Sequence, residues 1–180
     1  MRGVRLLILV ATAALAGRGA TLERLSLEEM AAKSTAIVRG RVAASWAAAH
    51  GPLIYTHYAI RVSERWKGPA AAQIEVVVPG GTAGGLRQSF SGVPRLSAEG
   101  EYVLFLWSGP SGLTHIIGLT QGVFDIRRDA EGALVAARAA ASETLLDPAT
   151  GRPVQDEPLR LKLEELGRRV RTALGAGAVR

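Results

Sequence analysis

Alternation of apolar and polar positions dominates the middle of the chain. From Ile54 to Trp66, residues Ile54, Thr56, Tyr58, Ile60, Val62 and Trp66 fall on one side of an extended backbone. Tyr55, His57, Arg61 and Arg65 fall on the other, the period of two expected of a half-buried strand. Glu64 interrupts the apolar side and predicts a bulge or a rim position there. Upstream, Thr35 to Trp46 alternates as well: Ala36, Val38, Gly40, Val42 and Ala44 share a face opposite Arg39 and Arg41. Gln73 to Val78 is rich in β-branched residues and predicts a third strand. Glu101 to Trp107 is continuously apolar in its middle and predicts a fourth, buried in part on both faces. Thr114 to Thr120 and Val123 to Arg127 predict a fifth strand, bent at Gln121-Gly122. Asp129 to Gly132 leads by a hairpin into a short sixth at Ala133 to Arg138. His50-Gly51-Pro52, Lys67-Gly68-Pro69 and Ser108 to Gly112 carry turn chemistry.

The pattern fails between Pro79 and Gly100. Five glycines lie between Gly80 and Gly92, with Leu86, Phe90, Val93 and Leu96 scattered among polar residues. A stretch this long without a period marks a functional or mobile loop. Ser26-Leu27-Glu28-Glu29 is a capping box and predicts a short helix to Lys33. Asp147-Pro148 and Gly151-Arg152-Pro153 read as part of a linker over 141–157. Leu159, Leu163, Leu166 and Val170 then recur at helical spacing over 158–174, before a tail at 175–180. The chain is expected to be mainly β: a five- to six-stranded antiparallel OB-like barrel over 17–140, with a short N-terminal helix and a C-terminal amphipathic helix packed on it.

Residues 1–16 carry an address rather than a fold element. Arg2 and Arg5 precede an apolar run from Leu6 to Leu15, and Ala14-Leu15-Ala16 is a cleavage signal, the arrangement of a secretory signal peptide. The run is about half the length of a membrane span. A secreted or periplasmic protein is expected. The formal charge of +6 falls to +4 when the two arginines leave with that segment, which holds no acid. This mild balance does not point to nucleic acid. There is no cysteine, so no disulfide braces the chain and no thiol serves as nucleophile or ligand.

Candidate chemistry is sparse. The three histidines, His50, His57 and His115, show no spacing that brings ligands together on a metal. Gly80 to Gly85 lacks the lysine-serine or lysine-threonine step of a phosphate loop. Ser89 and Ser91 lie outside any nucleophile motif, and the pairs Glu99/Glu101 and Glu164/Glu165 read as a turn and a solvated helix face. No catalytic residue, cofactor or metal is expected. What remains is a surface: Arg39, Arg41, Tyr55, His57, Arg61 and Arg65 on the strands, with Arg87 and Phe90 in the loop. Stacking plus charge on such a face suits a glycan or polyanion.

Five segments resemble a known family in order and spacing. They are "STAIVRGRV" (34–42), "IYTHYAIRVSERWKGP" (54–69), "IEVVVPG" (74–80), "GVPRLSAEGEYVLFL" (92–106) and "GLTHIIGLTQGVFDI" (112–126). Together they resemble the N-terminal domain of the tissue inhibitors of metalloproteinases and related netrin-like modules. The layout also resembles a bacterial class of exported proteins without an established activity. The resemblance implies an OB fold and a protein partner, an exported metalloprotease, engaged through the barrel rim and the 79–100 loop. The inhibitors grip the protease zinc with an N-terminal cysteine fixed by disulfides. This chain has no cysteine and no disulfide to fix one, so the resemblance carries over the fold and not the inhibitory residues, and leaves open a free N-terminus lying on the barrel.

Overall fold

A computed structural model describes residues 20–177. The segment 1–16 expected as a signal peptide and residues 178–180 lie outside the described residues. Among the described residues the chain is mainly β, with two helices. Its elements run β1 (Thr21–Glu23), α1 (Leu27–Lys33), β2 (Ala36–His50), β3 (Leu53–Lys67), β4 (Gln73–Pro79), β5 (Gly81–Ala83), β6 (Leu86–Gln88), β7 (Glu101–Ser108) and β8 (Thr114–Ile116). A 3-10 turn at Leu119–Gly122 follows, then β9 (Val123–Arg128), β10 (Leu134–Arg138), β11 (Thr144–Leu146), β12 (Pro153–Val154), β13 (Leu159–Lys162) and α2 (Leu163–Gly177).

Eight strands form the main sheet in the order β13-β10-β9-β7-β2-β3-β4-β8. Strand β7 is the branch point. One edge pairs with β2; the other pairs with β9 through Tyr102–Leu104 and with β8 through Leu106–Ser108. The second pairing closes the hydrogen-bonded circuit β2-β3-β4-β8-β7 into a five-strand ring. β4 and β8 run parallel, with Val77 opposite His115. The sheet is thus larger than the five or six strands expected and not purely antiparallel. The expected bent fifth strand is two strands, because the 3-10 turn sends β8 to close the ring and β9 to extend the sheet.

Alternation then sorts the core into two clusters. Val38, Val42, Tyr58, Ile60, Val76, Val78, Tyr102, Leu104 and Leu106 fill the ring. Ile37, Val103 and Phe105 point the opposite way and pack outside it with Met30 and Ala31 of α1 and Leu163, Leu166 and Val170 of α2. The continuous apolar run of β7 serves both.

Local chemistry sets the ends of these elements. Ser26 Oγ accepts from the Glu29 amide at 3.1 Å while Glu29 accepts from the Ser26 amide at 2.8 Å, completing the capping box. At the other end of α1, Lys67 Nζ donates to the carbonyls of Ala31 and Ala32 at 2.8 and 2.9 Å, where a cation suits the helix dipole. The hairpin β2–β3 turns on Gly51, at φ +61°, followed by Pro52. Positive φ at the first turn position is the geometry of a two-residue hairpin.

Three bulges reset the alternation of the β2–β3 pair, after Ile37, after Arg39 and after Val42. On β3 they fall at Ser63 and Trp66. They turn Glu64 outward, opposite Arg39, with an ion pair at 3.7 Å. They also place Trp66 outside the ring with the helices, not among the inward residues where alternation put it. The 141–157 stretch expected as a linker carries β11, which pairs with β1, and β12, which pairs with β11, and Leu145 within it is buried. Leu159 belongs to β13 rather than to the C-terminal helix, because its backbone pairs with Arg138 of β10. α2 in turn runs on to Gly177, through the first part of the expected tail.

Two buried polar side chains tie these additions down. Gln121 is fully buried. Its Oε1 accepts from the Leu25 amide at 2.9 Å and its Nε2 donates to the Glu23 carbonyl at 3.1 Å. The Glu143 carboxylate accepts from the hydroxyls of Thr120 and Ser142. The same 3-10 turn therefore anchors both the N-terminal segment and the segment before β11.

Candidate functional site

The expected binding surface divides into three places. Arg39 and Arg41 meet one carboxylate: Glu101 on β7 lies 2.6 Å from each. Glu101 is largely shielded from solvent, and Glu64 lies 3.7 Å from Arg39 as well, so two carboxylates balance the two guanidiniums and this is not a free cationic face. Arg61 stands opposite Arg41 and Gln73 in the register. Arg65 Nη1 donates to the Gly68 carbonyl at 2.6 Å, which assigns it to the turn. Tyr55 and His57 lie on the outer face towards the β2–β3 hairpin, roughly 26 to 33 Å along β3 from Arg65 at about 3.3 Å per residue, whereas Arg65, beyond the Ser63 bulge, pairs with the inward Val38. Arg87 and Phe90 belong to the 79–100 segment at the mouth of the ring.

Around Tyr55 and His57 the structure assembles a feature the sequence pattern does not show. Trp46 is opposite His57, His57 opposite Val77, Val77 opposite His115, and His115 opposite Trp107. One row of residues therefore crosses five strands on the outside of the ring. Trp46 stacks on His57 with centroids 5.2 Å apart and planes at 15°. Trp107 lies 6.3 Å from His115 at 31°. Tyr55 meets His115 edge-on at 6.0 Å and His50 at 6.4 Å. Val77 is buried between the two histidines, whereas Trp46 and Trp107 keep 43% and 45% of their surface exposed. All three histidines of the chain join this patch.

The position of Trp46 depends on one residue. Val42 pairs with Ile60 but Ala44 pairs with Ala59, so Ala43 is an extra residue on β2. Without that bulge, Trp46 would share the face of Val42 and point inward. With it, the indole is outside. Polar groups edge the row. His57 Nδ1 is 2.7 Å from a Glu75 carboxylate oxygen, and the contact assigns the proton to Nδ1 when the ring is neutral. His57 Nε2 is buried, with no hydrogen-bond partner among the described residues.

Burial holds the His115 imidazole below its ordinary pKa, since desolvation penalises the charged form. The unfolded chain therefore takes up this proton at higher pH than the folded one. His115 costs stability as pH falls below roughly 6.5 towards its depressed folded value. Replacing His115 by Phe is expected to reduce the stability lost between pH 7.5 and 5.5, measured by urea unfolding at both pH values. An equal loss in both proteins would contradict this.

The second concave feature is the ring mouth, a cleft of about 390 Å³ between the inner residues Thr56, Tyr58 and Val78 and the 79–100 segment. That segment is less irregular than its sequence predicts. It folds a small hairpin, β5–β6, and Gln88 fastens it by accepting from the Ile54 amide at 2.7 Å and donating to the Pro52 carbonyl at 2.9 Å. Gly81 sits at φ +137° where an added Cβ would lie 2.9 Å from Thr56 Oγ1, so glycine permits the close approach.

Among the described residues, no three histidine or acidic side chains are grouped to hold a metal. No helix among them is long and apolar enough to cross a membrane. The chain matches no protein-family model and no curated protein sequence.

Proposed function

We propose that the protein is an exported, non-enzymatic binding module built on an OB-like barrel, and that it holds a glycan on the Trp46–Trp107 row. One observation carries the ligand reading. Two exposed indoles and two histidines stand in cross-strand register on the outer face of the ring. Exposed aromatic side chains held in one cross-strand row suit a contact site better than residues scattered singly. Flat pyranose rings with equatorial linkages present apolar C–H faces that stack on indoles, while Glu75 and the Tyr55 hydroxyl supply partners for sugar hydroxyls. The strand circuit supports the barrel reading: five strands closed by one parallel pair match the connectivity expected of an OB barrel, whose outer strands serve as a ligand face. Export directs the choice from nucleic acid to glycan. The commitment of Arg39 and Arg41 to Glu101 moves it from polyanion to stacking.

The test is a titration of the mature protein with cellohexaose, chitohexaose and maltohexaose, read by tryptophan fluorescence. A saturable change is expected with a flat, β-linked chain. No saturable change with any of them at millimolar concentration removes the reading.

A second reading is supported by the rim. Leu86, Phe90 and Leu53 around the mouth keep 68%, 43% and 37% of their surface exposed. This apolar fringe suits a protein partner, and the family resemblance suggests an exported metalloprotease. Titration against secreted metalloproteases decides it: neither a complex nor inhibition would leave the rim without that role.

A further inference from the structure

We propose that the cleft at the ring mouth is a second ligand site, separate from the aromatic row, for a small organic anion. Its oxyanion head would be taken by Arg87 and Arg95, and its apolar body would lie against Phe90, Val93 and Leu96.

Charge distribution is the first reason. Arg39, Arg41 and Arg138 each meet a carboxylate of the fold, at 2.6, 2.6 and 3.0 Å. Arg87 and Arg95 meet none: among the described residues neither side chain makes an ion pair or a hydrogen bond, and both line the same cleft. No acidic residue lines it. Two unpaired guanidiniums lining one cleft give it a positive potential that an anion would relieve. Guanidinium groups present planar forks that match carboxylate and phosphate oxygens two at a time.

The second reason is the mixed lining. Tyr58 and Val78 reach the cleft from the ring interior, Val93 and Leu96 from the loop, and Phe90 stands at its edge. A bare inorganic anion would leave these surfaces unused. A volume of about 390 Å³ lies in the range of small-molecule sites, which combine apolar walls with a few polar groups.

The third reason is that the cleft is preformed. Gly80 donates from its amide to the Ile54 carbonyl at 2.7 Å, and Thr56 Oγ1 donates to the Gly80 carbonyl at 2.8 Å. Further along, the Ser97 amide donates to the Tyr102 hydroxyl at 2.8 Å. With the Gln88 clasp, these bonds pin the segment at several points, so little ordering entropy remains to be lost on binding.

The experiment uses four probes on the mature protein, followed by calorimetry and by amide NMR shifts: benzoate, phenyl phosphate, inorganic phosphate and benzyl alcohol. Benzoate or phenyl phosphate is expected to bind saturably, with shifts centred on 80–96. Benzyl alcohol, without the charge, and inorganic phosphate, without the body, should each bind about tenfold more weakly or not at all. The preference between benzoate and phenyl phosphate identifies the head group. Arg87→Met with Arg95→Met should cost at least about tenfold, while Trp46→Ala with Trp107→Ala should leave this binding unchanged. The proposal is overturned if neither aromatic anion binds, if benzyl alcohol or inorganic phosphate binds as tightly, or if the double arginine variant binds as well as the parent. Because the tryptophan variant is a control here and the loss variant for glycan, the two sites stand or fall separately.

Discussion

Replacing Trp46 and Trp107 together by alanine is expected to weaken glycan binding by about a hundredfold. Each indole offers an exposed face whose cover by a sugar is worth about 1.5 kcal/mol, or roughly tenfold in affinity. The two lie at opposite ends of a row spanning four strand spacings, roughly 19 Å around the outside of the ring at about 4.8 Å each. Sites this far apart contribute independently. Additive losses in the single variants would therefore mean that one sugar chain spans the row. A loss confined to one variant would place the ligand at one end. Neither indole belongs to the two core clusters, so the variants should unfold within about 1 kcal/mol of the parent. Unchanged titration curves in the double variant would remove the row from the site.

Gly40→Ala is expected to destabilise the fold by about 3 kcal/mol, measured by urea unfolding. Gly40 lies in β2 on the side facing the ring interior, opposite Val62 and beside the Ser63 bulge. A Cβ there would fall 2.5 Å from the Arg61 carbonyl oxygen and 2.7 Å from Ile60 Cγ2. The first contact is backbone in a paired strand, so it cannot rotate away as a side chain would. Relief requires β3 to move from β2, which strains the pairing that builds the ring. A loss below about 0.5 kcal/mol, the ordinary scale of a surface change, would show that the two strands do not cross this closely.

Both results depend on bulges, and this is where the sequence stops being legible. Straight alternation places Val38, Val42, Tyr58 and Ile60 in one core, and they are there. It also places Trp66 in that core and gives no reason for Trp46 to stand opposite His57. Each bulge inserts one residue and exchanges the two faces for everything beyond it. A period-two reading carried across Ala43, Ser63 or Trp66 therefore assigns side chains to the wrong side. Glu64 was the visible symptom: an acid on the apolar face signals that the register has shifted.

The basic surface was legible as residues and not as charge. Arg39 and Arg41 do share the outer face, but Glu101 comes from a strand about sixty positions later and pairs with both, and Glu64 of β3 adds the second negative charge. The same distance in sequence hides the aromatic row, whose five members come from five strands. It also hides the Gln121 clip, which joins residues almost a hundred apart.

The sequence by itself determined the elements with local causes. The capping box starts α1, Gly51-Pro52 turns the hairpin, the β-branched run makes β4, and the leucine stripe docks α2, because each depends on neighbours within a few residues. Only the tertiary structure decided which strands meet. β7 divides its second edge between β8 and β9, and that division closes the ring, brings His115 beside Val77 and completes the row from Trp46 to Trp107. Pairing between distant strands is set by how the whole core packs, and no window of the chain contains that information.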